Sequence, residues 1–216
     1  TWMIDGEIMH RDSLGYEQVV RPGQVNLMTA GRGIVHAEDA VTDDPGRLHA
    51  AQLWIALPDA ERHREPSFHH YPELPVLEWG GFTVTVLAGT AFGQTAPALI
   101  FSPLVGVDLA CAGPAETLVP LNPAFEHAVL VLSGALEVEG ETLEPGTLLY
   151  LGTARAQLAL QSQAAARLLL IGGEPFAEEI LLWWNFVARN RDEMVNATDD
   201  WNAGRTFGTV SGSPSP

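Results

Sequence analysis

Cysteine is almost absent from this chain of 216 residues. A single Cys111 cannot form an internal disulfide, which favours a reducing compartment, the cytoplasm, as the location of the protein. Basic residues are also few, because Lys and Arg number 11 against 27 Asp and Glu, for a formal net charge of -16. A surface of that sign repels phosphate backbones, so the composition argues against direct binding of nucleic acid.

Long apolar runs are missing as well. No stretch approaches the roughly 18 consecutive apolar residues of a membrane-spanning helix, so we expect no membrane partner. Hydrophobic residues nevertheless make up 46% of the chain, which is sufficient for a core. The composition predicts a soluble protein, and we expect it to be a monomer.

Helical periodicity is scarce until the last part of the chain, whereas short alternating segments cut by Gly and Pro turns are frequent. Such spacing is typical of an all-β sandwich or barrel. The clearest predicted strands lie at residues 7–11, 16–20, 25–29, 48–57 and 82–87. Residues 58–75, rich in Pro, His and charge, predict a long connecting loop.

One pattern occurs twice, in residues 5–27 and again in residues 133–151. Each copy reads as a strand, a Gly turn, a strand, a Pro-Gly turn and a strand. The repeat predicts two β-barrel domains, which we place at residues 1–95 and 96–216, with the boundary between residues 90 and 115.

The C-terminal region differs from both copies. Asn190 followed by Glu193 is a helix-capping pattern, and Gly204 is a helix stop. The apolar face of this predicted helix consists of Met194, Ala197 and Trp201. Residues 208–216 predict a flexible terminus.

The candidate site begins with His36 and Glu38, which follow a Gly-rich turn and lie two residues apart on a predicted strand. Side chains alternate along a strand, so both project from one face and Asp39 from the other. An imidazole beside a carboxylate is half of a metal site. The alternative is a pair of polar residues at a strand end that face water.

The surrounding sequence resembles the pirin family of the cupin superfamily. The resemblance is carried by Met-Thr-Ala-Gly-Arg-Gly-Ile-Val-His-Ala-Glu at 28–38, preceded by His-Arg-Asp-Ser-Leu-Gly at 10–15. It continues through the segments at 21–23, 53–58, 87–93, 131–134 and 172–175. It implies a bicupin of two jelly-roll barrels, with the C-terminal helix folded back onto the first barrel. It also implies that His36 and Glu38 are two of the four ligands of one iron ion.

The other two ligands implied by the resemblance are a His-Pro-His pair on the preceding strand, and this chain has no His-x-His. Its seven histidines lie at positions 10, 36, 49, 63, 69, 70 and 127. His69 and His70 are adjacent and would face opposite ways on a strand. We therefore expect that the natural protein has an upstream segment that supplies the pair.

The remaining histidines have weaker signals. His10 is a candidate for supporting the metal ligands, although such a residue is more often at a surface or turn. His127 is the only histidine of the second copy, and no His, Asp, Glu or Cys lies between residues 147 and 173. We expect His127 to be a structural polar residue at a strand start and the second domain to be free of metal.

The ligand set implied by the resemblance suits Fe(II) or another divalent transition metal with open positions. Glu38 could accept the proton of a bound enol or phenol, which makes it the candidate catalytic residue. The resemblance then implies a quercetin 2,3-dioxygenase-like enzyme acting on a small aromatic substrate. The alternatives are an iron-dependent regulator that binds a protein partner without turnover, and a vestigial cupin. A deep apolar pocket at the metal would favour the enzyme, and a shallow charged rim would favour the regulator.

Overall fold

The computed structural model of the chain describes residues 1–42 and 46–210. Within these residues the chain forms twenty strands and one helix. In order, the elements are β1 (Trp2–Asp5), β2 (Ile8–Asp12), β3 (Glu17–Val20), β4 (Val25–Thr29), β5 (His36–Ala40), β6 (His49–Ala51), β7 (Ser67–Tyr71), β8 (Val76–Trp79), β9 (Phe82–Ala91), β10 (Gln94–Thr95), β11 (Leu104–Cys111), β12 (Ala115–Pro120), β13 (Glu126–Ser133), β14 (Leu136–Val138), β15 (Glu141–Leu143), β16 (Leu148–Gly152), β17 (Gln157–Ser162), β18 (Ala166–Gly173), β19 (Leu181–Trp183), β20 (Phe186–Ala188) and α1 (Arg191–Asn202). The predicted all-β fold with a C-terminal helix is confirmed.

The close contacts of the chain define two compact units. Unit 1 consists of the described residues up to 73 and those from 176 onward, and unit 2 consists of residues 74–175. The strands β8 and β9 therefore belong to unit 2. The predicted division of the chain between residues 95 and 96 stays a prediction.

Unit 1 contains two antiparallel sheets that position the candidate site. One has the strand order β6-β1-β4-β7 and the other has the order β3-β2-β5. Met3, Ile8 and Val20 form a small buried apolar cluster in this unit. The predicted strand at 48–57 was too long, because only His49–Ala51 pairs with β1. The predicted loop at 58–75 contains β7, whose five residues all pair with β4.

Unit 2 holds the larger apolar core. Its strands form a seven-stranded sheet, ordered β10-β9-β11-β18-β13-β16 with β8 beside β9, and a four-stranded sheet ordered β12-β17-β14-β15. Alternate side chains are buried along β13, β14 and β17, as the period of a half-buried strand requires, whereas β11 and β18 bury consecutive residues on both faces. The largest fully buried apolar side chains of this unit are Phe82, Leu109, Leu136, Leu158, Leu160, Leu168, Leu169 and Leu170.

The internal repeat is present in the backbone as well as in the sequence. Strand β1 pairs with β4 and β2 with β3, and in the same way β13 pairs with β16 and β14 with β15. The first turn of each copy has a glycine with positive φ, +81° at Gly6 and +67° at Gly134. A Cβ on Gly6 would lie 2.5 Å from the carbonyl oxygen of Arg47, and one on Gly134 would lie 2.3 Å from that of Ala165. Both turns therefore need glycine for the same reason, a close approach of two backbone segments.

The C-terminal helix begins and ends as predicted. The side chain of Asn190 accepts a hydrogen bond of 2.9 Å from the backbone N–H of Glu193, and Gly204 follows the helix with φ of +63°. Arg62 donates two hydrogen bonds of 2.9 Å to the Glu193 carboxylate, so the helix is tied to the first part of the chain within unit 1. The predicted terminus from residue 211 onward lies outside the described residues. In the described chain no helix has the length and hydrophobicity to span a membrane.

Candidate metal centre

The candidate site lies on the antiparallel pair β2 and β5. His10 is directly opposite Glu38, and Asp12 is directly opposite His36. Paired residues on adjacent strands share a face, so these four side chains project together. Asp39 lies on the other face, where its carboxylate accepts a hydrogen bond of 3.0 Å from Nε of Arg11. The prediction that His36 and Glu38 share a face and that Asp39 opposes them is therefore confirmed.

The loop from β4 to β5 explains the glycines of the motif. Gly31 has a φ of +53°, and a Cβ at this position would lie 2.2 Å from the carbonyl oxygen of Arg64. The same oxygen accepts a hydrogen bond of 3.0 Å from the backbone N–H of Arg32. Only glycine allows the two backbone segments to approach this closely. The loop thereby brings the start of β5, with His36, opposite Asp12.

Three side chains in this cluster can serve as ligands of one metal ion. His10, His36 and Glu38 each offer a ligand atom, and these atoms all lie within 4.8 Å of one another. The three residues differ in solvent exposure, since His10 is buried, His36 is partly buried and Glu38 is exposed. The rings of His10 and His36 have centroids 5.5 Å apart. Two imidazoles and a carboxylate form a donor set that suits a divalent transition metal.

His10 is held rigidly by its neighbours. Its Nε2 lies 3.1 Å from Oδ2 of Asp12, and its ring stacks on Phe68 with centroids 4.3 Å apart. The other carboxylate oxygen of Asp12 accepts hydrogen bonds from the backbone N–H groups of Leu14 (2.9 Å) and Tyr16 (3.1 Å). The expectation that a histidine at position 10 lies at a surface or turn is wrong, because only 2% of His10 is exposed. The alternation of Ile8, His10 and Asp12 on one face of β2 was the signal for its burial.

His36 is suited to be a metal ligand in its present form. Burial lowers the pKa of the imidazole and outweighs the opposing effect of the nearby Glu38 carboxylate, so the ring is neutral near pH 7. Its Nδ1 is buried and has no hydrogen-bond partner among the described residues. A buried nitrogen without a partner is costly unless it binds something, and metal coordination requires the neutral imidazole. These properties fit a metal site at His36.

Glu38 has a different environment. The hydroxyl of Thr1 donates a hydrogen bond of 3.3 Å to Oε1 of Glu38, and the residue is otherwise exposed. Its second carboxylate oxygen, Oε2, accepts no hydrogen bond from the residues that the structure describes. A carboxylate with one oxygen held and one available can accept a proton from a neighbouring hydroxyl.

Among the described residues, no other histidine belongs to this group of ligand atoms. His70 contacts Asn26 on β4, whereas its neighbour His69 points to the opposite face of β7, as predicted. His127 is the second residue of β13 in unit 2 and is 2% exposed, and its structural role stays a prediction. A Cβ on Gly172 would lie 2.6 Å from the His127 ring, so this glycine makes room for the imidazole.

Two concave regions of the surface lie elsewhere. One, of about 410 Å³, lies on the four-stranded sheet of unit 2. Its lining residues are Glu116, Thr117, Leu118, Glu137, Gly140, Ala159, Leu160 and Gln161. The other, of about 200 Å³, lies beside Gly6 and Val41 in unit 1. Neither includes His36 or Glu38, so the chemistry of the donor set, and not cavity size, identifies the candidate site.

Comparison with known proteins agrees with this fold. A Pseudomonas aeruginosa protein named "Putative quercetin 2,3-dioxygenase PA1205" is 50% identical over 204 residues, which cover 94% of this chain and 64% of that protein. A Caulobacter vibrioides pirin-like protein is 34% identical, over 95% of this chain and 72% of that protein. The crystal structure of quercetin 2,3-dioxygenase from Acinetobacter baumannii has a TM-score of 0.95 and 46% identity, covering 100% of this chain and 72% of that one.

The chain thus spans between 64% and 72% of the length of these relatives. Residues 1–55 match the family model named Pirin, and residues 106–208 match that of the pirin C-terminal cupin domain. The two matches correspond to the two copies of the repeated strand pattern. The predicted bicupin fold is confirmed, and the chain belongs to the pirin family.

Proposed function

We propose that the chain is an iron-dependent dioxygenase of the quercetin 2,3-dioxygenase type, acting on a small aromatic substrate with adjacent hydroxyl and keto oxygens. The observation that carries the proposal is the cluster of His10, His36 and Glu38, whose ligand atoms lie within 4.8 Å of one another. The names of the Pseudomonas and Acinetobacter relatives support the substrate class.

The chain's own residues would divide the work as follows. His10, His36 and Glu38 would hold the iron, and Asp12 and Phe68 would fix the orientation of the His10 ring. A bound iron supplies Lewis acidity and electron transfer between substrate and O2. Glu38 would accept the proton of the substrate hydroxyl on the oxygen that does not bond to Thr1. Because Glu38 is exposed, this proton can then pass to solvent.

The experiment compares metal content, measured by mass spectrometry, and quercetin turnover in the wild type and in three variants. His36→Ala removes a neutral nitrogen donor and is expected to lose most of the metal while keeping the fold. Glu38→Gln keeps the shape but removes the base, so turnover is expected to fall about 100-fold, with a smaller loss of metal. His63→Ala is the matched control, since His63 is an exposed histidine of unit 1 outside the cluster. Unchanged metal content in His36→Ala would refute the assignment.

A second candidate is an iron-dependent regulator that binds a protein partner. The exposure of Glu38 favours it, because an exposed ligand lets the metal state be sensed at the surface. The two candidates differ in the same experiment. An iron-loaded wild type that cleaves no flavonol would reject the enzyme. A partner affinity that changes with Glu38→Gln would then support the regulator.

A further inference from the structure

A row of three polar residues crosses the β6-β1-β4-β7 sheet of unit 1. The terminal amino group at Thr1 donates to the carbonyl of Asn26 (2.7 Å), and the backbone N–H of Asn26 donates to the carbonyl of Thr1 (3.0 Å). Asn26 is in turn directly opposite His70 on β7. Residues paired in this way across antiparallel strands have side chains on one face. Thr1, Asn26 and His70 therefore share a face of the sheet.

That face is the one turned toward the candidate metal centre. The Thr1 hydroxyl bonds to the carboxylate of Glu38 at 3.3 Å. Phe68, two residues before His70 and on the same face, stacks on His10 at 4.3 Å. Thr1 at one end of the row, and Phe68 beside its other end, are thus in contact with residues of the cluster on β2 and β5. Asn26 lies between these two contacts.

Asn26 is the unusual member of the row. Only 4% of it is exposed, and its Oδ1 accepts a hydrogen bond of 2.7 Å from Nδ1 of His70. Burial lowers the pKa of His70, which agrees with a neutral ring that carries its proton on Nδ1. The Nδ2 amino group of Asn26 is buried and has no partner among the described residues. Buried donors without partners are rare in folded proteins, and such a group indicates a ligand or an ordered water.

We propose that the amide of Asn26 donates a hydrogen bond to an oxygen of the small molecule bound at the His36 and Glu38 centre, and that His70 fixes the orientation of this amide. The inference rests on the proposed function for the identity of the ligand, a ring with adjacent hydroxyl and keto oxygens. An oxygen of that ligand gains negative charge as Glu38 takes the hydroxyl proton. A neutral donor held in a buried position stabilises that charge without neutralising the base.

The test uses Asn26→Leu, which removes the amide at nearly constant volume. Met28→Leu is the matched control, because Met28 lies on the same face of β4 but has no hydrogen-bond donor. Two affinities of the iron-loaded full chain are measured. The affinity for quercetin is measured in the absence of O2 from the shift in quercetin absorbance. The affinity for azide is measured on the iron(III) form from the azide-to-iron charge-transfer band. Thermal unfolding of the metal-free chain is the third measurement.

The expected result is about tenfold weaker binding of both probes in Asn26→Leu, the size of one lost hydrogen bond. Metal content should stay at the wild-type level. The Tm should fall no further than it does in His70→Phe, since both variants break the hydrogen bond between Asn26 and His70. His70→Phe should weaken binding as well, whereas His70→Gln, which can still donate to Asn26, should restore it. Met28→Leu should leave both affinities unchanged.

Two outcomes would overturn the proposal. If Asn26→Leu binds both probes as the wild type does, the amide contacts only an internal water. If Asn26→Leu lowers the Tm well below that of His70→Phe, which breaks the same hydrogen bond, Asn26 has a structural role beyond that bond. Failure of the proposed function has a separate signature, a wild type that binds azide but not quercetin. In that case the azide affinities of the wild type and Asn26→Leu still decide whether Asn26 is a donor.

Discussion

Replacement of Asp12 tests whether the candidate site and the fold of unit 1 depend on the same carboxylate. The side chain of Asp12 is fully buried and serves three donors, the ring of His10 and the backbone N–H groups of Leu14 and Tyr16. Asp12→Ala removes the acceptor for all three. Each donor that stays buried without a partner lowers the free energy of unfolding by about 1–3 kcal/mol. The two backbone N–H groups near the turn recover part of this loss by hydrogen bonding to water. We therefore expect a loss of about 3–5 kcal/mol in the free energy of unfolding.

Asp12→Asn separates the two roles of the residue. The amide oxygen can still serve Leu14 and Tyr16, but the amino group that replaces Oδ2 now donates toward Nε2 of His10. We expect a loss of only about 1–2 kcal/mol in stability. Because the amino group forces the proton of His10 onto Nδ1, we expect metal affinity to fall about 10- to 100-fold, the usual effect of losing a partner that orients a ligand.

The assay is urea unfolding followed by tryptophan fluorescence, which reports mainly on unit 1 because Trp79 is the only tryptophan in residues 74–175. Asp39→Ala is the matched control on the neighbouring strand. Asp39 pairs with Arg11 on the exposed face, with a carboxylate 47% exposed, so its loss is expected to cost less than about 1 kcal/mol. Equal destabilisation by Asp12→Ala and Asp39→Ala would refute the argument that burial decides the cost.

Three further predictions concern other parts of the chain. Hydrogen bonds from Arg62 lower the pKa of Glu193 from its ordinary 4.5 to about 2, so the unfolded state binds the proton first as the pH falls. The contribution of this pair to the free energy of unfolding should be complete above about pH 4.5 and lost toward pH 2. The Glu193→Gln variant should lack this loss of stability in an acid titration. At pH 7 its free energy of unfolding should be about 1 kcal/mol below that of the wild type. Unit 2 should hold no metal, so a metal bound by residues between 120 and 172 would contradict the sequence argument. The charge of -16 predicts no specific affinity for duplex DNA, and tight binding that weakens steeply with salt would show otherwise.

The sequence predicted the fold where local pattern and tertiary pairing agree. The turn glycines and the Pro-Gly turns recur at matching places in both copies, and these positions are set by backbone geometry alone. The prediction of strands from the sequence failed where a segment pairs with a strand that is distant in the chain. Residues 67–71 form β7 because β4 offers a free edge, and neither the flanking Pro66 and Pro72 nor the charged surroundings reveal that edge.

The site was predicted in part for a similar reason. A spacing of two residues was enough to place His36 and Glu38 on one face. His10 and Asn26 depend on which strands lie beside and across from them, and one sequence does not contain that register. The burial of His10 could have been predicted from its place on one face of β2 with Ile8 and Asp12, between the less buried Met9 and Arg11. For Asn26 no local signal exists, because its importance lies in a buried amino group without a partner.

The two copies of the strand pattern differ in the side chains at corresponding inward positions. Strand β5 pairs with β2 in unit 1, and β17 pairs with β14 at the corresponding place in unit 2. The inward positions of β14 and β17 are Leu136, Val138, Leu158 and Leu160, all at most 1% exposed.

In unit 1 the buried face of the same strand pair carries His10, Asp12 and the half-buried His36 beside a single large apolar residue, Ile8. Polar groups there give up the burial energy that leucine supplies in unit 2, which amounts to about 1.5–3 kcal/mol for each large apolar side chain. They are retained only where a ligand or a function compensates for that loss. The contrast between two copies of one backbone plan therefore argues, without reference to any relative, that the interior of unit 1 is the functional one.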